Sequence, residues 1–237
     1  MRTDDASILV VDDELELLEI FSAWLGRSGF RVFTAPNGAE ALKVLHAQKV
    51  DVVLSDIRMP IMDGVALVQN LNRMDTPPPK IIFVTGYRNI SRREIFAMGV
   101  EALLEKPLSR PALLKTLEHC LTNDESKWLV PSPGPSAQRA TLEWESLEGA
   151  TASCAFRLGR GGCCLACALP LKEGMSIDLY LSFAREGLGL NAQGTVVWVD
   201  AEQNKAGVAF DYLSPKSREW VLARIKAQSP RSFVPQC

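Results

Sequence analysis

The stretch VDVVLSDIRMPIMDG, residues 50–64, decides the fold. Its apolar run Val52-Val53-Leu54 has the composition and length of a strand buried on both faces. The run ends at Ser55 and delivers Asp56 onto the strand tip, after which Arg58-Met59-Pro60 turns the chain. Asp63-Gly64 then stops the turn where a new helix begins. An Asp ahead of a turn is common by itself. A carboxylate at a strand end beside other strand ends is a candidate nucleophile, so the neighbouring strand ends carry the weight.

Working outward, Ile8–Val11 predicts a first buried strand, followed at once by Asp12-Asp13-Glu14. Leu15, Leu18, Phe21 and Leu25 then recur at helical spacing, with Gly26 and Gly29 closing that segment. Phe30–Thr34 reads as a second strand and Ala39–Gln48 as a second helix. Beyond Asp56, Val65–Arg73 is helical, and Thr76-Pro77-Pro78-Pro79 forbids regular structure. Ile81–Val84 is a fourth strand, ending at Thr85-Gly86. A short helix through Glu94 and Phe96 leads to Gly99, and Ala102–Leu104 is a fifth strand, ending at Glu105-Lys106-Pro107. Arg110–Leu121 is the last helix. Five strands alternating with five helices predict a doubly wound α/β unit with a five-stranded parallel sheet over residues 1–122. The carboxyl ends of such strands share one edge, where ligands bind, and that edge collects Asp12, Asp13, Asp56, Thr85 and Lys106.

Residues 123–138, rich in proline, read as a semi-rigid linker. From 139 to about 228 the apolar period changes to two. Ile177, Leu179, Leu181 and Phe183 alternate with Asp178, Tyr180 and Ser182, and Val196/Trp198 and Val208/Phe210 repeat the habit. Short strands at this spacing predict a small antiparallel β-barrel. Ser214-Pro215 predicts the start of a C-terminal helix, with Trp220, Val221 and Ile225 on its apolar side. Residues 229–237 read as a disordered tail.

Charge narrows the function classes. The first 122 residues hold 14 basic and 16 acidic side chains, leaving 12 of each in the remainder. Neither half is a basic patch and no helix-turn-helix pattern follows the linker, which argues against DNA as partner. No apolar run is long enough to insert in a membrane, and Met1-Arg2 leads straight into acids, so a cytoplasmic location without signal peptide is expected. In that compartment the six cysteines are expected as thiols. Cys163 and Cys167 share a strand face but lie roughly 13 Å apart at strand rise, too far for one metal ion. His46 and His119 are solitary in helical patterns.

The motifs VVDDE at 10–14, SDIRMPIMDG at 55–64, Thr85-Gly86 and Lys106-Pro107 occur in the order found in the receiver domain of two-component response regulators, and the first 122 residues resemble that domain. The resemblance implies that Asp56 accepts a phosphoryl group from a partner sensor histidine kinase. An acidic cluster repels itself, and Mg²⁺ relieves the repulsion while bridging to phosphate oxygens. Asp13, Asp56 and the backbone carbonyl of Arg58 would be direct ligands, with Asp12 acting partly through water. Lys106 supplies a fixed positive charge, and the Thr85 hydroxyl can donate to the phosphoryl group. The family commonly carries an aromatic residue three positions before its lysine; here that position is Leu103, with Tyr87 a candidate substitute.

Residues 139–228 resemble, through LGRGGCCLACALPLKEGMSIDLYL, TVVWVD and AGVAFDYLS, a PilZ domain, the small barrel that often binds cyclic di-GMP. The family's Arg-x-x-x-Arg falls on Arg139 to Glu143, with an acid at its second arginine. Its Asp/Asn-x-Ser-x-x-Gly falls on Arg157, Gly159 and Gly162, keeping only the last glycine. Arg139, Arg157 and Arg160 are the candidate ligand contacts, and the pattern implies a degenerate domain. The expected function is a phosphoacceptor response regulator, not an enzyme, whose barrel acts through contacts with a protein partner. The alternative is a cyclic di-GMP receptor controlled by receiver phosphorylation. An aspartyl-phosphate phosphohydrolase usually carries a second acid two residues after its nucleophile, where Arg58 stands here.

Overall fold

The computed structural model describes residues 6–74, 78–86, 91–122, 126–131 and 138–236. The chain divides into two compact units: residues 1–90 with 100–123, and residues 91–99 with 124–237.

In the first unit, β1 (Ser7–Val11), β2 (Arg31–Ala35), β3 (Val52–Ser55), β4 (Lys80–Thr85) and β5 (Val100–Glu105) form one sheet in the order β2-β1-β3-β4-β5. Every pairing is parallel. All residues of β1 and β3 are buried, as expected of central strands covered on both faces. Val11 pairs with Ser55, so β1 and β3 end in step, and Ser55 pairs with Phe83, so β4 runs two residues further. This register is what aligns Asp12, Asp56 and Thr85 along one edge.

The helices of this unit are α1 (Leu15–Gly26), α2 (Gly38–Ala47), α3 (Gly64–Leu71) and α5 (Arg110–Leu121). Three begin on side-chain caps: Asn37 accepts from the Glu40 N–H, Asp63 from Ala66 and Ser109 from Ala112. Leu18, Phe21 and Leu25 of α1 join Ile8, Val10, Val52, Leu54, Leu113 and Leu117 in the core. Leu15, expected on that face, is 69% exposed. It opens the helix immediately after the acidic turn. Tyr87 lies outside the described residues.

The second unit contains α4 (Arg92–Ala97) together with β6 (Gln138–Trp144), α6 (Leu147–Ala152), β7 (Phe156–Leu158), β8 (Gly162–Ala166), β9 (Ser176–Phe183), β10 (Leu188–Asp200), β11 (Lys205–Leu213) and α7 (Pro215–Gln228). The strand order is β6-β9-β10-β11-β8-β7. The expected alternation holds in β9, where Ile177, Leu179, Leu181 and Phe183 are all buried. Trp144 of β6, Phe156 of β7 and Phe183 of β9 form an aromatic cluster with centroids 5.3–5.9 Å apart. The sheet therefore curls until side chains of its two outer strands meet.

Three expectations for this unit need correction. The barrel is mixed, not antiparallel throughout, because β6 pairs parallel to β9. Trp128, read as linker, is core: it is 5% exposed, packs edge-on against Phe210 at 5.9 Å, and its carbonyl accepts from Leu213 N. The rest of the linker, at 123–125 and 132–137, lies outside the described residues. The tail from Ser229 is held through residue 236: Val234 is fully buried, and the carbonyls of Ser232 and Phe233 accept from Arg160 N and Gly161 N. Burial of Phe233 and Val234 compensates the ordering entropy that a polar tail could not recover.

Cys120, Cys154, Cys163 and Cys167 are free, as expected, whereas Cys164 is disulfide-bonded. Burial pushes the Cys163 thiol far up and the Cys167 thiol up. Ser214 precedes α7 as expected, but its hydroxyl meets the Ser217 hydroxyl at 2.8 Å and caps no helical N–H.

Candidate functional site

Asp12 follows β1 and is 1% exposed. Its backbone N–H donates to Ala35 O, and its carboxylate accepts from Glu14 N at 3.0 Å and from Lys106 Nζ at 2.8 Å. Asp56 follows β3 and is tied to β1 by its N–H donating to Val11 O. Its Oδ1 accepts from Ile57 N at 2.5 Å and from Arg58 N at 3.4 Å, while Oδ2 accepts from Lys106 Nζ at 2.9 Å. These bonds wrap the turn backbone at residue 58 around the carboxylate. Asp13 is exposed, and one carboxylate oxygen each of Asp12, Asp13 and Asp56 lies within 4.8 Å of the others.

Lys106 arrives from the far side of the sheet edge. Its N–H donates to Thr85 O, which sets the lysine beside the buried Thr85 at the end of β4. Burial works against the Lys106 ammonium, but hydrogen bonds to Asp12 and Asp56 outweigh it and hold its pKa above the ordinary lysine value. Asp12 is also pushed up, chiefly by burial and further by the Asp56 charge. Lys106 and the Glu14 N–H pull it partly back.

Two residues that close the quoted motifs, and were given no role at the site there, complete the geometry. Glu14 Oε1 stands 3.5 Å from Lys106 Nζ, adding a more exposed acid. Gly64 leaves room for the Asp56 backbone, since a Cβ there would sit 2.3 Å from Asp56 O. That glycine was legible only as a stop after Asp63. The three carboxylates are hard oxygen donors of the type and charge that Mg²⁺ takes, so the residues present fit such an ion.

The candidate nucleotide contacts of the second unit do not share such a cluster. Arg139 lies on β6, exposed, with its guanidinium over the Tyr180 ring at 5.1 Å, and Glu143 is exposed on the same strand. Arg157 and Arg160, the other candidate contacts, donate to carbonyls of this chain: Arg157 to Gln236 O, and Arg160 to Arg231 O and Gly99 O.

Comparison with known proteins finds two successive domains along the chain. Residues 8–118 match the response regulator receiver domain, and residues 155–227 match the PilZ domain. The Escherichia coli transcriptional regulatory protein GlrR is 36% identical over 122 residues, covering 51% of this chain and 27% of that protein. The sensor histidine kinase RcsC of Salmonella typhi is 34% identical over 114 residues, covering 48% of this chain and 12% of its own length. The chain thus spans about a quarter or less of these curated relatives. Among solved structures, the Vibrio cholerae chemotaxis response regulator CheY4 is 32% identical with a TM-score of 0.44, covering 49% of this chain and 98% of that one. A Thermotoga maritima response regulator, TrrA, solved in complex with Mg²⁺-BeF, is 29% identical with a TM-score of 0.45, covering 49% and 99%.

The matches define a chain that carries a receiver domain followed by a PilZ domain. The receiver match precedes the PilZ match, in the order read from the motifs. No helix among the described residues is long and apolar enough to cross a membrane.

Proposed function

We propose that this chain is a cytoplasmic response regulator whose Asp56 receives a phosphoryl group from the phosphohistidine of a sensor kinase. The observation that carries the reading is the convergence of three carboxylates within 4.8 Å, two of them bonded to one lysine ammonium. An Asp56 carboxylate oxygen attacks phosphorus, the P–N bond to the kinase imidazole breaks, and the imidazole leaves after taking a proton. Asp13, Asp56 and the Arg58 carbonyl would hold Mg²⁺, with Asp12 acting through water; when bound, the ion neutralises charge on the phosphoryl oxygens. Lys106, bonded to Asp56 Oδ2, orients that carboxylate before transfer and offers its positive charge to the new acyl phosphate. The Thr85 hydroxyl donates to a phosphoryl oxygen. Leu103, half-buried on β5, offers no aromatic ring to report that change.

The chain acts as a phosphoacceptor, and the PilZ unit carries the output through contacts with a protein partner. Arg139 engaged on Tyr180, with Glu143 on the same strand, argues against tight cyclic di-GMP binding. Losing one charge-assisted pair costs roughly 1.5–3 kcal/mol, about ten- to a hundred-fold in affinity. The receptor reading predicts a micromolar or better dissociation constant by calorimetry, abolished by Arg139→Ala; our reading predicts no binding that tight. Incubation with acetyl phosphate and Mg²⁺ should add one phosphoryl mass to the wild type, and none in chelator or in Asp56→Asn. Equal phosphorylation of wild type and Asp56→Asn overturns the assignment.

A further inference from the structure

The second unit contains a three-way junction that neither domain match explains. The turn Leu158–Gly162 presents two consecutive backbone N–H groups, on Arg160 and Gly161, which donate to Ser232 O and Phe233 O, both at 2.9 Å. The Arg157 and Arg160 guanidiniums donate to Gln236 O and Arg231 O, each at 3.2 Å. One short segment therefore supplies acceptors to three donors of this turn and to Arg157 of β7 just before it. The glycines fit it closely: a Cβ at Gly161 would sit 2.0 Å from the Phe233 ring, and one at Gly159 2.5 Å from Phe233 O.

The same segment grips α4. Phe233 N–H donates to Phe96 O at 3.0 Å, and the two rings lie 6.3 Å apart. Arg160 Nη2 donates to Gly99 O at 2.8 Å, just past the helix end. A Cβ at Gly99, which has φ +99°, would stand 2.6 Å from Arg231 O. At the other end of α4, Arg93 pairs with Asp200 and lies over Trp198, and Arg92 pairs with Glu173 at 3.2 Å. With six residues, α4 is too short to be stable by its own backbone bonds, so its order comes from these contacts.

We propose that residues Arg231–Gln236 form an internal clasp that fills the Leu158–Gly162 turn and fastens α4 to the barrel. Phe233 is the pin: it is 9% exposed, covers Gly161 and meets Phe96. Two consequences follow. The mobility of α4, a helix within the receiver match, is set by the C-terminal segment. Any anionic ligand drawn to the arginines of that turn must first displace the chain's own carbonyls.

Hydrogen–deuterium exchange on the full chain tests the clasp, comparing wild type with a chain ending at Ser229, with Phe233→Ala, and with Gly161→Ala. Truncation and Phe233→Ala should speed exchange in peptides covering 91–99 and 157–162 by about tenfold or more, the factor that 1.4 kcal/mol converts to. Peptides from β1 and β3 should not change. Gly161→Ala should do the same by forcing the ring out, and Gly161→Ala/Phe233→Ala should be no worse than Phe233→Ala alone, because the clash and its victim are one contact. If truncation unfolds the unit globally, Phe233→Ala decides. Unchanged exchange over 91–99 in the folded Phe233→Ala protein, or additive effects in the double variant, overturns the proposal.

Discussion

Replacing Lys106 by Met removes a cation bonded to both Asp12 and Asp56 while keeping an unbranched side chain of similar length. Asp12 is 1% exposed, so its carboxylate would be left beside Asp56 and Asp13 with only the Glu14 N–H as donor among the described bonds. Breaking a fully buried pair costs about 3–5 kcal/mol. The Lys106 and Asp56 side chains are 18% and 12% exposed, so solvent takes part of that load, and about 2–3 kcal/mol remains for Lys106→Met in chelator. For a unit of this size the unfolding midpoint should fall by roughly 10–20 °C. A divalent cation replaces the missing charge, so saturating Mg²⁺ should recover at least half of the loss. It should also stabilise the variant more than the wild type, in which lysine competes for the same oxygens. Thermal and urea unfolding of both proteins, in chelator and in Mg²⁺, gives the comparison. A loss below about 0.5 kcal/mol in chelator, or the same loss in both buffers, would refute the view that Lys106 neutralises this cluster.

Other outcomes follow from single contacts. Gly64→Ala should weaken phosphorylation as well as stability, because its Cβ meets the Asp56 carbonyl; phosphoryl incorporation per folded molecule measures the first and urea unfolding the second. Trp128→Ala should destabilise the second unit by about 3–5 kcal/mol, a core cost no linker residue carries, seen as a lowered unfolding midpoint. Iodoacetamide should label Cys154 in the native protein and leave Cys163 and Cys167 unmodified even as pH rises through 9. Burial raises both thiols, so the thiolate that reacts stays scarce until the chain unfolds. Mass mapping of native and denatured samples checks this.

How much of this was legible in the sequence depends on the range of the forces involved. The apolar runs of β1 and β3 could be read directly because burial on both faces leaves a continuous signature. The alternation in β9 was equally plain, since one face meets the core and the other solvent. The acidic site followed, because strand ends of a parallel sheet share an edge by construction. What escaped was set by partners distant in sequence. Nothing local to 138–144 says that β6 runs parallel to β9, and the proline-rich run hid that Trp128 seats on Phe210. The tail looked disposable because its two decisive residues, Phe233 and Val234, sit among Ser, Pro and Gln. Arg160 read as a ligand contact because its acceptors are main-chain carbonyls about 60 to 70 positions away, which no motif records.

The central claim is that the acidic edge makes Asp56 the phosphoacceptor, and trapping the acyl phosphate tests it most directly. After incubation with a phosphohistidine kinase or acetyl phosphate in Mg²⁺, borohydride reduces an aspartyl phosphate to homoserine at the residue that carried it. Peptide mass spectrometry then reads the position. Homoserine should appear at residue 56 alone, at much lower yield in Lys106→Met and not at all in chelator. Homoserine at Asp12, Asp13 or any other position, or a phosphorylated protein with no trapped residue at 56, would contradict the account.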